Sequence, residues 1–458
     1  MSLLAPHDRR PVHFVGIAGA GMSALAELFV RRGVVVTGCD ANPGMVDDLR
    51  RVGIEVLHGH DPAHVESARA LVVTSAMKRD HPELVRAQQR GIPVVRRAEA
   101  LGEAVSGGTL VAIAGTHGKT TTTVMTTDAL TAAGLAPTGI VGGRVGAWSG
   151  NLKSGGDAMF VVEADEYDRS FLALAPTIAV ITNVEADHLD IYADLDDIRG
   201  AFAQFASGAR TVVVCADDPG ASSIAIPPGA RVIRYGIDAP DADLTARGIS
   251  GAGTGQEWEV VHDGRSLGRV RTGVPGLHNV RNALAAIASG LALGATVDRM
   301  APGLAGFAGV ERRFQRLGER GGVLVVDDYA HHPTEIRATL DAARAAFPGR
   351  RVVSAFQPHL FSRTRDFARE FGDALARADI VFLTEIYPAR EQPIPGVTSD
   401  LIERALRDAG GTLGWRGERG ALAEALARTV RAGDVVLTIG AGDITRTGPE
   451  LLDRLSAA

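Results

Sequence analysis

No run of about eighteen apolar residues occurs anywhere in this chain, so membrane insertion is not expected. Cysteine is almost absent. Cys39 and Cys215 each sit in a strand-like apolar run, which fits two buried thiols in a reducing compartment; neither a disulfide nor a metal site is expected on so few thiols. Basic excess is lacking too: the formal charge of −6 leaves nothing to neutralise a polyphosphate backbone, so nucleic-acid binding is not expected. Any phosphate chemistry must come from local sites. The first ten residues are polar and charged, with no apolar stretch before a small-residue cleavage site, so a cytoplasmic location is expected. Aromatics, at 5%, are scarce and carry no functional signal.

What is present is ordinary globular material, 45% hydrophobic and 22% charged. A length of 458 residues exceeds what one core supports and implies two to four domains, three being preferred. Short apolar runs alternate with helical patterns throughout, the mark of βαβ units and parallel sheets. Strands are expected at 12–15, 34–38, 71–74 and 93–95, with helices at 22–32, 45–53 and 85–91. A Ser-Gly-Gly hinge, 106–108, leads to a second series. It has strands at 110–114, 158–162, 178–182, 211–215 and 232–235, helices at 119–134 and 279–293, a β-rich excursion over 238–275 and a glycine-bearing link at 303–310. A third series carries strands at 323–327, 351–356, 380–383 and 434–439, with helices at 333–347, 364–376 and 421–430. The fold class is therefore α/β, as three consecutive domains: Rossmann-like at 1–107, a P-loop ATP-binding domain at 108–310, and Rossmann-like at 311–458.

The most informative segment is Gly115-Thr116-His117-Gly118-Lys119-Thr120-Thr121. An apolar strand enters a tight glycine turn and a helix begins at the lysine, so backbone N–H groups and the helix N-terminus can close around phosphate oxygens. Lys119 can bridge terminal phosphates, and the Thr120 hydroxyl can ligate Mg²⁺. The loop is shorter than that of motors and GTPases. A magnesium ion wants nearby carboxylates, and Glu163-Ala164-Asp165-Glu166 supplies them after a buried strand, with Glu163 the first choice. His188, in Glu185-Ala186-Asp187-His188, stands after the next strand as a candidate for a metal or a phosphate.

Glycines 16, 19 and 21 lie between the first strand and helix, and Asp40 ends the second strand where a ribose-binding acid belongs. Alone, this pattern suggests NAD. The spacing is not that of the dinucleotide fingerprint, however, and a hydride-transfer reading leaves Lys119, Thr120 and Glu163 without a role.

Together these segments resemble the Mur ligases in order and spacing, from about residue 11 to 445. Further markers are 275–283, Arg312-Arg313-Phe314, 327–335, Phe356-Gln357-Pro358-His359 and 440–444. The resemblance implies a first domain holding a UDP-sugar, a central one holding ATP with Mg²⁺, and a third closing over an amino acid. It implies that ATP phosphorylates the carboxylate of UDP-N-acetylmuramate and that L-alanine attacks the acyl phosphate. Lys119, Glu163, His188 and His331 become the catalytic candidates, with Thr120, Glu163 and His188 on the metal. ATP would meet the loop 115–121, His278 and Asn282 at the adenine, and Arg313 and Asp328 from the third domain. The UDP-sugar would meet Gly16, Gly19, Gly21, Met22, Ser23, Asp40, Ser75, Ala76 and Asn183. A monomer or homodimer is expected. The chain departs from the commonest family pattern at Tyr167, Asp168 and Arg169, at Leu360, and at 387–391, where Arg390 is a candidate compensating cation.

Overall fold

The computed structural model describes residues 2–5, 8–42, 46–75, 77–252, 255–389 and 391–456. The chain divides into two compact units. One comprises Met1–Ile249, Trp258–Arg271 and Arg281–Phe307; the other comprises Ser250–Glu257, Thr272–Val280 and Ala308–Ala458.

The first unit contains two sheets. The N-terminal sheet is parallel and ordered Glu55–His58, Val36–Asp40, Val12–Val15, Ala70–Val73, Val94–Arg96. Its strands at 12–15 and 70–73 are wholly buried, as strands covered on both faces should be, and His13 is the one polar residue among them. The order reverses beside Val12–Val15, and such switch points open a crevice at the strand carboxyl ends. Gly16, at φ +76°, turns the chain there into the helix Ala20–Arg31.

The central sheet runs, edge to edge, Arg265–Thr272, Gly255–His262, Leu244–Ala252, Arg231–Gly236, Thr211–Cys215, Ile178–Ile181, Thr109–Ala114, Met159–Glu163, Thr138–Val145, Gly150–Lys153. The expected β-rich excursion is the first three of these strands. Ile178–Ile181, Thr109–Ala114 and Met159–Glu163 are parallel neighbours, so the loops after them emerge side by side. The helix Lys119–Ala132 is buried nearly all round although five of its first eight residues are threonine. Thr123, Thr126, Thr127 and Thr131 each donate a hydroxyl hydrogen to the carbonyl four residues back, at 2.7–2.8 Å, which makes these polar side chains compatible with burial.

In the second unit a six-stranded sheet runs Gln315–Arg320, Val323–Asp328, Asp434–Ile439, Arg351–Phe356, Ile380–Thr384, Leu413–Gly417, with only the first strand antiparallel. Apolar layers cover both faces, one built on Phe356, Phe371 and Leu437, the other on Phe382, Leu422 and Val436.

Three expectations are corrected. The link at 303–310 begins inside a helix, Val297–Ala305, that accommodates Pro302. The helix expected over 364–376 is two, Phe361–Asp366 and Ala368–Leu375, broken at Phe367. The short strand Glu55–His58 was not anticipated, because its only apolar residues are the adjacent, half-buried Val56 and Leu57 between two exposed ends.

Candidate active site

The loop after Thr109–Ala114 needs its glycines. At φ +145°, Gly115 lies where a side chain would meet the Thr182 hydroxyl at 1.9 Å; at φ +79°, Gly118 would press on Asn282 Oδ1 at 2.7 Å. The neighbouring strand's exit segment fixes the loop from one side. Thr182 donates its hydroxyl hydrogen to the His117 carbonyl at 2.7 Å. The Asn183 carbonyl accepts from Thr116 N–H at 3.0 Å, and its side chain accepts from His117 N–H at 2.7 Å while donating to the His117 carbonyl at 3.0 Å. Glu185 N–H donates to the Thr116 hydroxyl at 2.9 Å. Asn183, expected at the UDP-sugar, thus engages the phosphate loop.

Lys119 donates to the carbonyls of Gly115 and Thr116 at 2.7 and 3.2 Å and forms an ion pair with Glu166 at 2.7 Å. Burial pulls its pKa down, but the carboxylates of Glu166, Asp165 and Glu163 outweigh that and raise it, so the ammonium is charged. Burial likewise opposes ionisation of Glu166, and Lys119 and His188 overcome it, holding the carboxyl below its ordinary value. Tyr192 donates its hydroxyl hydrogen to the Glu166 carbonyl at 2.6 Å. His188, at φ +54°, places Nε2 3.5 Å from Glu166 and stacks edge-on against Tyr167. Its ion pairs among the described residues are with Glu166 and Asp187, so it joins the lysine side of the site.

Thr120 and Glu163 form the other side. The Thr120 hydroxyl donates to Glu163 Oε1 at 2.8 Å, and Gly142 N–H donates to Oε2 at 2.6 Å. Adjacent oxygens of a six-coordinate magnesium shell lie about 3 Å apart, so this hydroxyl–carboxylate pair has the chemistry and the spacing of two magnesium ligands.

Glu163 also lines a cavity of about 280 Å³ shared with Gly19, Gly21, Thr74, Arg97 and Asp165. The N-terminal glycine loop and the magnesium-competent acid therefore face one space. Arg97 explains Gly21, since an added Cβ would stand 3.0 Å from the guanidinium. A second cavity of about 210 Å³ is lined by Thr74, Ser75, Arg96, Arg97, Asp168 and Arg169, among others. Asp40 is engaged by backbone: it accepts from Ala18 N–H at 3.0 Å and Asn42 N–H at 2.8 Å, pinning the 16–19 turn and its own loop. Ser23 gives its hydroxyl hydrogen to the Ala20 carbonyl, and Met22 is buried against the core. Ala76 and Arg390 lie outside the described residues. Arg97 and Gly142 were missed as site residues, and Glu166, named among the carboxylates near magnesium, is instead the ion-pair partner of Lys119. Arg97 follows directly on the strand Val94–Arg96, a carboxyl-edge signal that could have found it.

Three family models match in succession: the Mur ligase catalytic domain at 11–109, the middle domain at 113–290 and the glutamate ligase domain at 312–442. A UDP-N-acetylmuramate–L-alanine ligase of Streptomyces avermitilis is 45% identical over 452 residues, 97% of each chain. This chain belongs to the Mur ligase family. Among solved structures, a UDP-N-acetylmuramate–alanine ligase from Thermotoga maritima superposes with a TM-score of 0.83 at 30% identity, covering 98% of this chain and 99% of its own. A murein peptide ligase from Psychrobacter arcticus gives 0.72 at 26% identity over the same shares. Membership removes the nicotinamide reading of the N-terminal glycines.

In the ligase's second unit, Asp328 accepts from Phe314 N–H at 2.9 Å, Ala330 N–H at 2.8 Å and the Thr339 hydroxyl at 3.2 Å. Burial raises its pKa to about 6 against the pull of Arg313. Arg313 lies over the Tyr329 ring at 5.2 Å and 3.4 Å from Glu335. His331 Nδ1 is 3.0 Å from the Tyr329 carbonyl, which holds the proton there and makes Nε2 the basic nitrogen. Its ring stands 6.0 Å from His359, which stacks on Tyr387. Leu360 has φ +72°, an unusual backbone for a branched residue at the turn into Phe361–Asp366. His278 and Asn282 lie one turn apart on the helix Leu277–Ala292.

Proposed function

We propose that this Mur ligase joins L-alanine to the carboxylate of UDP-N-acetylmuramate at the expense of ATP, giving ADP and phosphate, a step of peptidoglycan precursor synthesis. The observation that carries the reading is Glu163: its carboxylate holds Thr120 of the phosphate loop and lines the cavity entered by the glycine loop around 16–21. Phosphoryl donor and sugar-nucleotide carboxylate would meet there. The relatives' printed names, at 42–47% identity, support the choice of alanine.

Residues 1–107 hold the UDP-sugar through loop N–H groups, with Ser75 nearby and Arg97 receiving an anionic group. Residues 108–310 hold ATP, and 311–458 bring Arg313, Asp328 and His331. Lys119 draws charge from the transferring phosphoryl group, whose bond to the ADP oxygen breaks as one to the muramyl carboxylate forms. Thr120 and Glu163 would hold Mg²⁺, which supplies charge neutralisation. The alanine amine then attacks the acyl carbon, phosphate leaves, and His331 Nε2 takes the amine proton. His188 keeps Glu166 ionised, and Glu166 orients Lys119. The protein acts in the cytoplasm as a monomer or homodimer.

The test is phosphate release with UDP-N-acetylmuramate, ATP and each amine in turn. L-alanine should stimulate most, with L-serine and glycine weaker. A preference for D-glutamate, a diamino acid or a preformed tripeptide overturns the assignment, the last moving the chain toward the peptide-recycling ligases.

A further inference from the structure

Away from this site, one buried carboxylate of the N-terminal domain collects four imidazoles and a thiol. Glu83, in the first turn of the helix Pro82–Gln89, has no solvent exposure. His64 Nδ1 is 2.8 Å from its Oε1, the Cys39 thiol 3.1 Å, His60 3.5 Å, His81 3.8 Å and His13 3.9 Å. Among the described residues every ion pair of Glu83 is with a histidine. A buried carboxylate without lysine or arginine requires some other positive partner.

We propose that His13, Cys39, His64 and Glu83 form a binding site for a zinc-class divalent transition-metal ion beneath the sugar-nucleotide loop. Each residue offers one donor atom, and the four atoms lie within 4.8 Å of one another. A tetrahedral zinc shell with bonds of about 2.0–2.3 Å spaces its ligands roughly 3.3–3.8 Å apart. The observed separations from Glu83, 2.8 to 3.9 Å, bracket that spacing.

His13 argues for an ion over a self-contained hydrogen-bond network. Its Nδ1 contacts the Thr37 hydroxyl at 2.9 Å, the second-shell bond that orients metal-binding imidazoles. Its Nε2 is fully buried, faces the cluster and has no hydrogen-bond partner. Proteins rarely leave a buried ring nitrogen in that condition. Nitrogen, sulfur and carboxylate donors together select zinc, cobalt or iron over magnesium. His60 and His64 reach solvent and give an entry path. Binding releases the Cys39 thiol proton to water and replaces the hydrogen bonds of Cys39 and His64 to Glu83 with metal bonds; no electrons are transferred. The Cys39 carbonyl accepts from Gly16 N–H at 2.8 Å and Ile17 N–H at 3.1 Å, so the ion would sit one residue's thickness from the nucleotide loop.

The test is cobalt titration of the chelator-stripped full-length protein. One equivalent should produce a near-ultraviolet thiolate-to-cobalt band that zinc displaces and excess magnesium does not. Cys39→Ser should abolish the band and Cys215→Ser should keep it. His64→Ala, at the rim, should weaken cobalt binding about tenfold or more while circular dichroism shows the fold intact. No band in the wild type, a band that survives Cys39→Ser, or unchanged affinity in His64→Ala overturns the proposal.

Discussion

Two glycine turns lie at strand carboxyl ends in the same compact unit, and they are built to different ends. The turn at 115–118 leads into Lys119 and Thr120 and is backed by Glu163, Glu166 and His188. The turn at 16–19 has no charged residue of its own; Asp40 and the Cys39 carbonyl shape it from below, and Arg97 approaches from another element. Glycine spacing only says that backbone N–H groups can approach a ligand. What the turn does with that ligand depends on which charges the surrounding strands deliver. The first turn is equipped to stabilise charge that moves; the second can only hold.

If that contrast is right, the largest effect should come from Lys119→Ala. Phosphate release should fall by about 10²–10³-fold or more, the size expected for removing one transition-state donor, with UDP-N-acetylmuramate affinity unchanged. Calorimetry showing both lost together would erase the distinction. Next comes Glu163→Gln, which should raise the Mg²⁺ concentration for half-maximal rate by about 10–100-fold. A wild-type magnesium curve would remove Glu163 from the metal.

The complementary change is Asp40→Ala, which deletes two carboxylate–amide bonds, the one to Ala18 in the turn being worth about 2 kcal/mol. The KM for the sugar nucleotide should rise by about tenfold and that for ATP should stay fixed; a matching rise for ATP would mean the turns are not independent. The last prediction lies outside both turns and concerns stability. Asp328 has its pKa raised by burial from 3.8 to about 6, so folding binds a proton there. The stability this contributes is complete below about pH 4 and lost as pH rises through about 6. Asp328→Asn should flatten that part of the pH dependence of urea midpoints, and an unaltered slope would contradict the shift.

The α/β class and the phosphate loop were legible because strand, glycines, lysine and threonine are contiguous, and because buried parallel strands read as unbroken aliphatic runs. The partners of that loop were harder. Asn183 was readable as a polar residue at a strand end, but its bonds to His117 depend on which strands are neighbours, and sequence does not order strands. Arg97 and Gly142 come from other elements and meet only through tertiary packing. The polar edge strand Gln315–Arg320 gave no periodic signal, and Leu413–Gly417 alternates strictly but is only five residues long with two glycines. The helix Leu195–Ala206 did carry one: Asp194 caps its first turn, and Ile198, Ala201, Phe202 and Phe205 share a face.

The three bonds that Lys119 makes within its own domain have a bearing on turnover. An ammonium already satisfied by Gly115, Thr116 and Glu166 answers only to an anion that competes with a carboxylate. A nucleotide bearing its terminal phosphoryl group can do so; once that group has moved on, Glu166 is positioned to reclaim the lysine. In the proposed reaction, that resting arrangement would favour departure of the spent nucleotide over its retention.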